Sequence, residues 1–570
     1  MNEIISGAEA LVRSLIAEGV DTIFGYPGGA IIPVFDCLYD YKEQLHHILV
    51  RHEQGAVHAA QGYARISGRT GVVIVTSGPA ATNVITGLGD AMMDSTPLVV
   101  ITGQVGSELL GSDAFQETDV IGITQPITKW SYQIRNVEDL RWAVARAFYI
   151  ASTGRPGPVV LDFAKNAQCD TMEWRGYKKC HFVRTYDPSP IICEQDVDAV
   201  ARMIDEAKRP LIISGHGVEI AHGEAELERL AEKAQIPVTT TLLGLSTIAT
   251  DSPLFKGFVG MHGNVAANVA ISSCDLLVAV GMRFDDRVTG DPKCFAPQAK
   301  IVHIDIDSSE FGKIIKPTAT IHGDARAVLA MLADKVAVSR HDEWLASFDK
   351  AWEVELDKVI NPELNDTTRI TMGRVARKVA EAAGQGAVLV TDVGQNQMLS
   401  ARYFKYTAPR SIITSGGLGT MGFGLPAAIG AKIGDPSRTV CFFTGDGGLQ
   451  MTVEELGVIL QYGVGVKIIL LNNNFLGMVR QWQALFYNRR FSETQLVNPN
   501  FVMLANSYGI PGEDVETLDQ LDAAVERMLA HDGAYLLNVN IDPEELVYPM
   551  TPAGAPITTI LLNKNEKYEC

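Results

Sequence analysis

Apolar residues in this chain fall into short continuous runs, each followed by a stretch in which they recur every three or four positions. Runs at 71–76, 98–102, 211–214, 276–280, 387–391, 439–444 and 466–471 are apolar on both side-chain parities. That pattern predicts strands buried on both faces, as in a parallel sheet covered by helices. Helical spacing fills the intervals, as at Ala8, Leu11, Val12, Leu15 and Ile16, and again over 452–462. The alternation predicts an α/β fold built of doubly wound parallel sheets.

Two stretches interrupt the rhythm. Residues 174–194 carry Pro188 and Pro190, and residues 335–369 are largely polar and charged. Both read as linkers or inter-domain helices. They divide the chain into domains at 1–180, 190–340 and 368–555, with a tail at 556–570. At 570 residues the chain is too long for one hydrophobic core, and each block is large enough for its own sheet.

Composition narrows the class. With 46% hydrophobic and 20% charged residues the chain reads as globular and soluble, and no run approaches the roughly 18 apolar residues of a membrane span. A formal net charge of -19 argues against nucleic acid or an anionic membrane as partner, since both call for a basic face. Glu3, Glu9 and Glu18 interrupt the opening apolar pattern, so it reads as neither a signal nor a transit peptide. Eight scattered cysteines without a CxxC pair read as free thiols in a reducing cytoplasm.

The most specific chemistry is Gly445-Asp446-Gly447, followed after 24 residues by Asn472-Asn473. The context is strand, helix, strand, and a right-handed crossover brings the carboxyl ends of two such strands side by side. Asp446 and Asn473 then share one crevice, where ligands of open parallel sheets bind. A carboxylate and an amide carbonyl are hard oxygen ligands suited to Mg2+, and the glycines let the backbone approach a diphosphate at a helix N-terminus. In isolation the first motif reads equally well as a turn with Asp446 as helix cap.

Two further segments stay ambiguous on spacing alone. Glu53, in Arg51-His52-Glu53-Gln54-Gly55, opens a helical pattern and is either a first-turn acid complementing the helix dipole or a functional carboxylate. Gly215-His216-Gly217 follows a strand but lacks a third glycine at dinucleotide spacing, which makes it a weak nucleotide signal.

The Asp446 and Asn473 pair resembles the signature of thiamine diphosphate enzymes. The segments 24–30, 76–79, 113–117, 155–158, 283–290 and 476–483 resemble the acetolactate synthase family, with similarity over about 3–555. The resemblance implies three domains of the thiamine-diphosphate-binding fold. It also implies decarboxylation of pyruvate and transfer of the two-carbon unit to a second pyruvate or to 2-ketobutyrate, in branched-chain amino acid synthesis.

It assigns Asp446, Asn473 and the backbone carbonyl of Phe475 to magnesium, and Glu53 to the aminopyrimidine ring of thiamine diphosphate. Around that cofactor it places Pro27, Gly28, Thr76, Asn83, Gln116, Gly394, Gln395, Asn396, Gly419, Gly445, Gly447, Gly448, Leu476, Gly477 and Met478, with Met421 as an apolar prop. FAD is implied in the middle block, at Arg155, Gly215, Gly217, Thr241, Leu242, Met261, His262, Arg283, Asp285, Arg287, Asp305, Asp324 and Ala325. Arg287 is assigned to the acceptor carboxylate, against the alternative of a surface ion pair with Asp285 or Asp286. Trp482 is assigned to choosing the acceptor, with Gln116 and Lys165 also catalytic. Gly29, Ala30, Phe115, Met261 and Val479 line the channel. The family further implies a homodimer or homotetramer with a separate small regulatory subunit. Pyruvate oxidase, with the same cofactors, is the rival reading. A non-catalytic scaffold is a third, and it would need a broken cofactor site.

Three positions depart from the family pattern. Gly106 stands where proline is usual, which loosens a loop at the channel mouth. Ala80 replaces glycine, harmless unless φ is positive there. Asn396 replaces a histidine beside the diphosphate, keeping a hydrogen-bond donor but losing the capacity for charge.

Overall fold

Three six-stranded sheets, every neighbouring pair parallel, organise the chain in the computed structural model, which describes residues 3–569. The expected strands appear nearly to the residue: Gly71–Val75, Leu98–Gln104, Pro210–Ser214, Leu276–Val280, Val388–Thr391, Val440–Gly445 and Val466–Asn472. Their side chains are almost all buried on both faces, which is why their sequence shows no polar alternation.

The first and third sheets have the same topology. The N-terminal order is His46–Leu49, Thr22–Tyr26, Gly71–Val75, Leu98–Gln104, Pro158–Ala164, Trp130–Ile134. The C-terminal order is Ile412–Ile413, Val388–Thr391, Val440–Gly445, Val466–Asn472, Tyr535–Asn540, Gly512–Val515. Numbered within each sheet, both read 2-1-3-4-6-5. The middle sheet runs Phe255–Phe258, Val238–Thr240, Pro210–Ser214, Leu276–Val280, Lys300–Asp305, Ala319–His322, or 3-2-1-4-5-6. In each sheet the direction of winding reverses beside the first strand, and the crevice that opens there is where α/β sheets hold ligands.

The two like domains are joined through helix Glu53–Ser67, which lies along helix Gly424–Gly434. Contact is backbone to backbone: a Cβ on Gly430 would come within 1.8 Å of the Ala59 carbonyl oxygen, and one on Gly62 within 2.0 Å of that of Ala427. One continuous core, including Ala59, Tyr63, Val73, Phe423, Ala427 and Phe442, spans both domains. The helix that begins at Glu53 is therefore fixed to the C-terminal domain of its own chain.

The polar stretch at 335–369 is an inter-domain helix, Asp342–Glu355, continuing through a π turn at Leu356–Ile360 into Asn361–Leu364. Buried Glu355 accepts from Asn264 Nδ2 at 2.8 Å and Val265 N at 2.7 Å and pairs with Arg402, tying the middle domain to the third. The pattern at 452–462 is interrupted: a 3-10 turn, Val453–Glu455, precedes the helix Leu456–Tyr462. The segment expected as a tail packs on the middle domain, with Ile557, Ile560 and Leu562 in its core and Pro556 bridged to Gly290.

Among the described residues all seven cysteines are free, and no helix is long and apolar enough to cross a membrane.

Candidate active site

At the switch point of the C-terminal sheet, three helices begin side by side: Gln395–Tyr403, Asp446–Gln450 and Gly477–Phe486. Gly394, at φ 127, turns the chain from the first strand into the first of these helices, a conformation only glycine adopts freely. A Cβ on Gly477 would strike Gln395 Oε1 at 2.1 Å and approach Asn473 Nδ2 at 2.9 Å, and one on Gly445 would lie 3.4 Å from Asn396 Nδ2. The free N–H groups of three helix ends and four amide or carboxyl side chains thus face one spot, suited to an anion and its counter-cation.

Asp446 and Asn473 are buried there. Burial pushes the Asp446 carboxyl up from its ordinary range, and the hydrogen bond from Asn498 works against that. Asn473 Oδ1 accepts from Phe475 N at 3.0 Å, closing a turn with Asn474 at its centre, φ 59. Gly447 is packed on Leu476, with Met421 Cε 3.6 Å from its Cβ position, and Gly448 on Asp392, so Met421 stands next to the turn at 445–448. Asn396 donates from Nδ2 to Val393 O at 3.3 Å, and its buried Oδ1 has no partner. Sequence reasoning missed Asn498, whose Nδ2 reaches Asp446 Oδ2 at 2.6 Å and Asn472 Oδ1 at 3.1 Å. It lies in an irregular polar stretch, 492–500, where spacing gives no signal.

The corresponding switch point of the N-terminal sheet gathers a second group. Gly28 follows the first strand and Thr76 the third, and a Cβ on Gly28 would lie 2.4 Å from Thr76 Cγ2. Thr76 Oγ1 accepts from Ala30 N at 3.2 Å, ordering the turn that also holds Pro27 and Gly29. Glu53 is half-buried at its helix start, and Asn83 Nδ2 donates to its Oε2 at 2.9 Å. Gln116, at φ 60, lies against Gly78: a Cβ there would come within 2.9 Å of Gln116 Cα. Phe115 beside it is exposed, as is Lys165 at the end of strand Pro158–Ala164.

A cavity of about 1250 Å³ runs between the three domains. It is lined by Arg155, Gly217, Thr241, Leu242, Met261, His262, Arg283, Asp285, Arg287, Asp305, Asp324 and Ala325 of the expected flavin set, and by Gly394, Gly419, Met478 and Trp482 from the C-terminal domain. Gly215 stays outside it: a Cβ there would meet Gly281 O at 2.3 Å, so this glycine serves close packing between strand ends. Several expected contacts also act locally. Asp285 accepts from Arg287 N and Val288 N at 3.0 and 3.1 Å, Asp324 from Ala327 N at 3.0 Å, and Thr241 Oγ1 from Gly244 N at 3.1 Å. His262 Nδ1 is buried without a partner, and burial pushes the ring's pKa down to about 3. Burial pushes Asp305 up to about 6.

Arg287 is exposed, with Nη1 4.0 Å from Met261 Sδ and 3.7 Å from the exposed carboxylate of Asp286. An ion pair this open is weak, so the guanidinium is available to a carboxylate in the cavity. Trp482 stacks obliquely on Phe486 at 5.4 Å between centroids, with the cavity in front of it. Val479, one residue before Arg480, faces solvent.

Neither Glu53, Asn83, Thr76, Gln116 nor Lys165 lines this cavity. Asp446, Asn473, Gln395 and Asn396 do not line it either, and the two groups sit at the switch points of different sheets. Apolar side chains beside each are uncovered: Phe115 is 88% exposed and Ile32 57%, and on the other half Val497 is 97% and Met451 56% exposed. A second surface normally covers such residues when they cluster.

Of the three departures, Ala80 lies in helix Pro79–Asn83 at negative φ and carries no strain. Gly106 has φ -60 and ψ 147, a conformation proline would share, so glycine here leaves the turn's shape unchanged and adds only freedom to the unfolded chain.

Comparison with known proteins bears on all three domains. Residues 5–123 match the family model for the thiamine pyrophosphate enzyme N-terminal TPP binding domain, 197–332 the central domain, and 392–539 the C-terminal TPP binding domain. The probable acetolactate synthase large subunit of Methanocaldococcus jannaschii is 45% identical, over 98% of this chain and 95% of the relative. The acetolactate synthase isozyme 2 large subunit of Escherichia coli is 43% identical, over 98% and 99%. The large subunit from Lactococcus lactis is 43% identical, over 96% and 95%.

Proposed function

The chain belongs to the thiamine pyrophosphate enzymes and, within them, to the acetolactate synthase large subunits, and from that premise we propose how its residues divide the reaction. The observation that carries the reading is the convergence of Asp446, Asn473, Gln395 and three helix N-termini at the C-terminal switch point, with a carboxylate, Glu53, at the matching point of the N-terminal sheet.

Thiamine diphosphate, when bound, supplies the carbon that takes over the two-carbon unit as pyruvate loses carbon dioxide. Asp446, Asn473 Oδ1 and the Phe475 carbonyl would hold magnesium. One carboxylate and two carbonyl oxygens suit magnesium, which takes hard oxygen ligands and also binds phosphate oxygens and water. The N–H groups after Gly394, Gly445 and Leu476 would take the remaining phosphate oxygens, while Gln395 braces the site, its Nε2 donating to Gln481 Oε1 and Glu545 O and its Oε1 accepting from Asn473 Nδ2. Glu53, oriented by Asn83, would accept a hydrogen bond from the aminopyrimidine ring and hold the proton there that the activation requires. Met421 supports the cofactor from below.

Arg287 forks onto the carboxylate of the acceptor 2-keto acid. Trp482 packs against its alkyl end, and Gln116, Lys165, Phe115, Gly29, Ala30 and Val479 complete the channel from the N-terminal face. The residues around the large cavity fit FAD: its size suits a dinucleotide, Arg155 and Arg283 offer cations, and His262 Nδ1 and Asp305 offer buried polar groups. Bound there, it would supply a brace between the three domains and not redox chemistry, since acetolactate formation has no net electron transfer.

The two half-sites work together across a dimer, Glu53 of one chain with Asp446 of the other, and the uncovered apolar residues beside them form the interface. A separate small subunit, as the relatives' large-subunit names imply, completes the assembly. The test is to assay acetolactate from pyruvate with each cofactor omitted in turn. Loss without thiamine diphosphate or without magnesium is expected, and undiminished product without either would overturn the reading.

A further inference from the structure

Glu53 is aimed by more than Asn83. The turn that delivers it, residues 47–52, is bonded along its length to the C-terminal domain of the same chain. Tyr462 Oη accepts from Leu49 N at 2.8 Å and donates to His47 O at 3.3 Å. Arg51 Nη2 donates to Gly457 O at 3.1 Å and Gln461 Oε1 at 2.8 Å. At the centre stands Glu455, 1% exposed. Its Oε1 accepts from Arg51 N at 3.1 Å and His52 N at 2.9 Å, and its Oε2 lies 3.2 Å from Arg51 N.

The space is reserved for this carboxylate. A Cβ on Gly55 would come within 2.3 Å of Glu455 Oε1, so any larger residue at this point of the helix would push the carboxylate aside. His52 caps the helix itself, its Nδ1 accepting from Gln54 N at 3.1 Å, which leaves the two preceding N–H groups to Glu455.

We propose that Glu455 is a positioning residue for Glu53: its carboxylate, carried on the turn that follows the Asp446 helix, fixes the backbone from which the activating carboxylate projects. The proposal rests on the reading of Glu53 given above.

A purely structural role fits poorly. Burial, the largest influence, pushes the Glu455 carboxyl up to about 7, against the two backbone donors and the charge of Arg51, with Glu454 adding to the rise. A carboxyl whose folded pKa exceeds its unfolded value destabilises the fold as pH rises from about 4.5 to about 7. A neutral amide at 455 would hold the fold at least as well above pH 7, so stability alone gives no reason for an acid here.

The experiment is Glu455→Gln in the full chain, alone and combined with Glu53→Gln. Alone, kcat should fall about tenfold, the scale at which small misplacement of a reacting group acts. KM for pyruvate and thiamine diphosphate affinity should stay unchanged, with a melting temperature at pH 8 no lower than that of the parent. Amide hydrogen exchange at Arg51 and His52 should quicken even without cofactor. In the Glu53→Gln background, Glu455→Gln should cost nothing more. Should Glu455→Gln fold poorly, Gly55→Ala displaces the same carboxylate and should give the same kcat and exchange changes.

Unchanged kcat or exchange, or a repeated tenfold loss in the Glu53→Gln background, would overturn the proposal. If Glu53→Gln alone leaves turnover intact, the reading of Glu53 falls first. If Glu53→Gln is inactive and Glu455→Gln is fully active, only the present inference falls.

Discussion

Asn498 donates from Nδ2 to Oδ2 of Asp446 across 2.6 Å, and the same amide group touches Asn472 Oδ1 and Asn474 Oδ1, both at 3.1 Å. One side chain therefore orients the carboxylate proposed to hold magnesium and braces the turn around Asn473. Partners of this kind typically contribute about 10–100-fold to metal affinity. Asn498→Ala should raise the magnesium concentration for half-maximal activity by about tenfold while leaving the melting temperature of the cofactor-free protein within a few degrees. A magnesium titration checks it, and an unshifted curve would contradict it.

The proposed pairing of Glu53 with Asp446 of a second chain gives a complementation test. Glu53→Gln and Asp446→Ala should each lower turnover at least about 100-fold, through loss of proton management and of the metal respectively. Unfolded, mixed one to one and refolded together, the two inactive chains should recover about a quarter of parental activity, because half the dimers are mixed and each then has one intact site of two. If Glu53 and Asp446 of one chain worked together, mixing would restore nothing.

Trp482 lines the cavity and leans on Phe486. If its ring meets the extra methylene of 2-ketobutyrate, about 0.8 kcal/mol of apolar contact is at stake. Trp482→Leu should then shift the product ratio several-fold toward acetolactate with pyruvate consumption largely kept. A competition assay with both acceptors reads this beside a thermal melt. An unchanged ratio with a loss of roughly 3–5 kcal/mol in stability would make Trp482 a packing residue.

His58 is fully buried where the N- and C-terminal domains meet, edge-on to Phe423 with ring centroids 5.2 Å apart. Burial, with the charge of Arg65, pushes its pKa down to about 3. The folded chain refuses a proton that the unfolded chain accepts at 6.5, so stability is lost as pH falls from about 6.5 toward 3. His58→Gln should flatten the fall by up to about 1.4 kcal/mol per pH unit, seen in urea midpoints between pH 6.5 and 4.5. Parallel curves for the two proteins would contradict it.

The sheets were legible because parallel strands buried on both faces leave continuous apolar runs, so Leu276–Val280 could be placed to the residue. Asp446 and Asn473 were legible for a related reason: each follows such a run, at the carboxyl end where ligands bind. Glu53 was not decidable from spacing, since a first-turn glutamate has a structural use as well. Asn498 and Glu455 left no trace because each acts through a contact distant in sequence: Asn498 reaches back to Asp446 from an irregular loop, and Glu455 reaches the backbone of Arg51 and His52 from a short turn inside what reads as one helix. Gly215 looked like a nucleotide glycine, yet its missing side chain answers to Gly281.

The central claim is that this chain joins two keto acids without passing electrons on. The most direct measurement incubates pure protein with pyruvate, thiamine diphosphate, magnesium and FAD, and follows acetolactate and the reduction of an artificial electron acceptor in parallel. The account predicts acetolactate accounting for the pyruvate consumed, with negligible dye reduction. Dye reduction keeping pace with pyruvate loss, and no acetolactate, would contradict it and assign the chemistry to an oxidase.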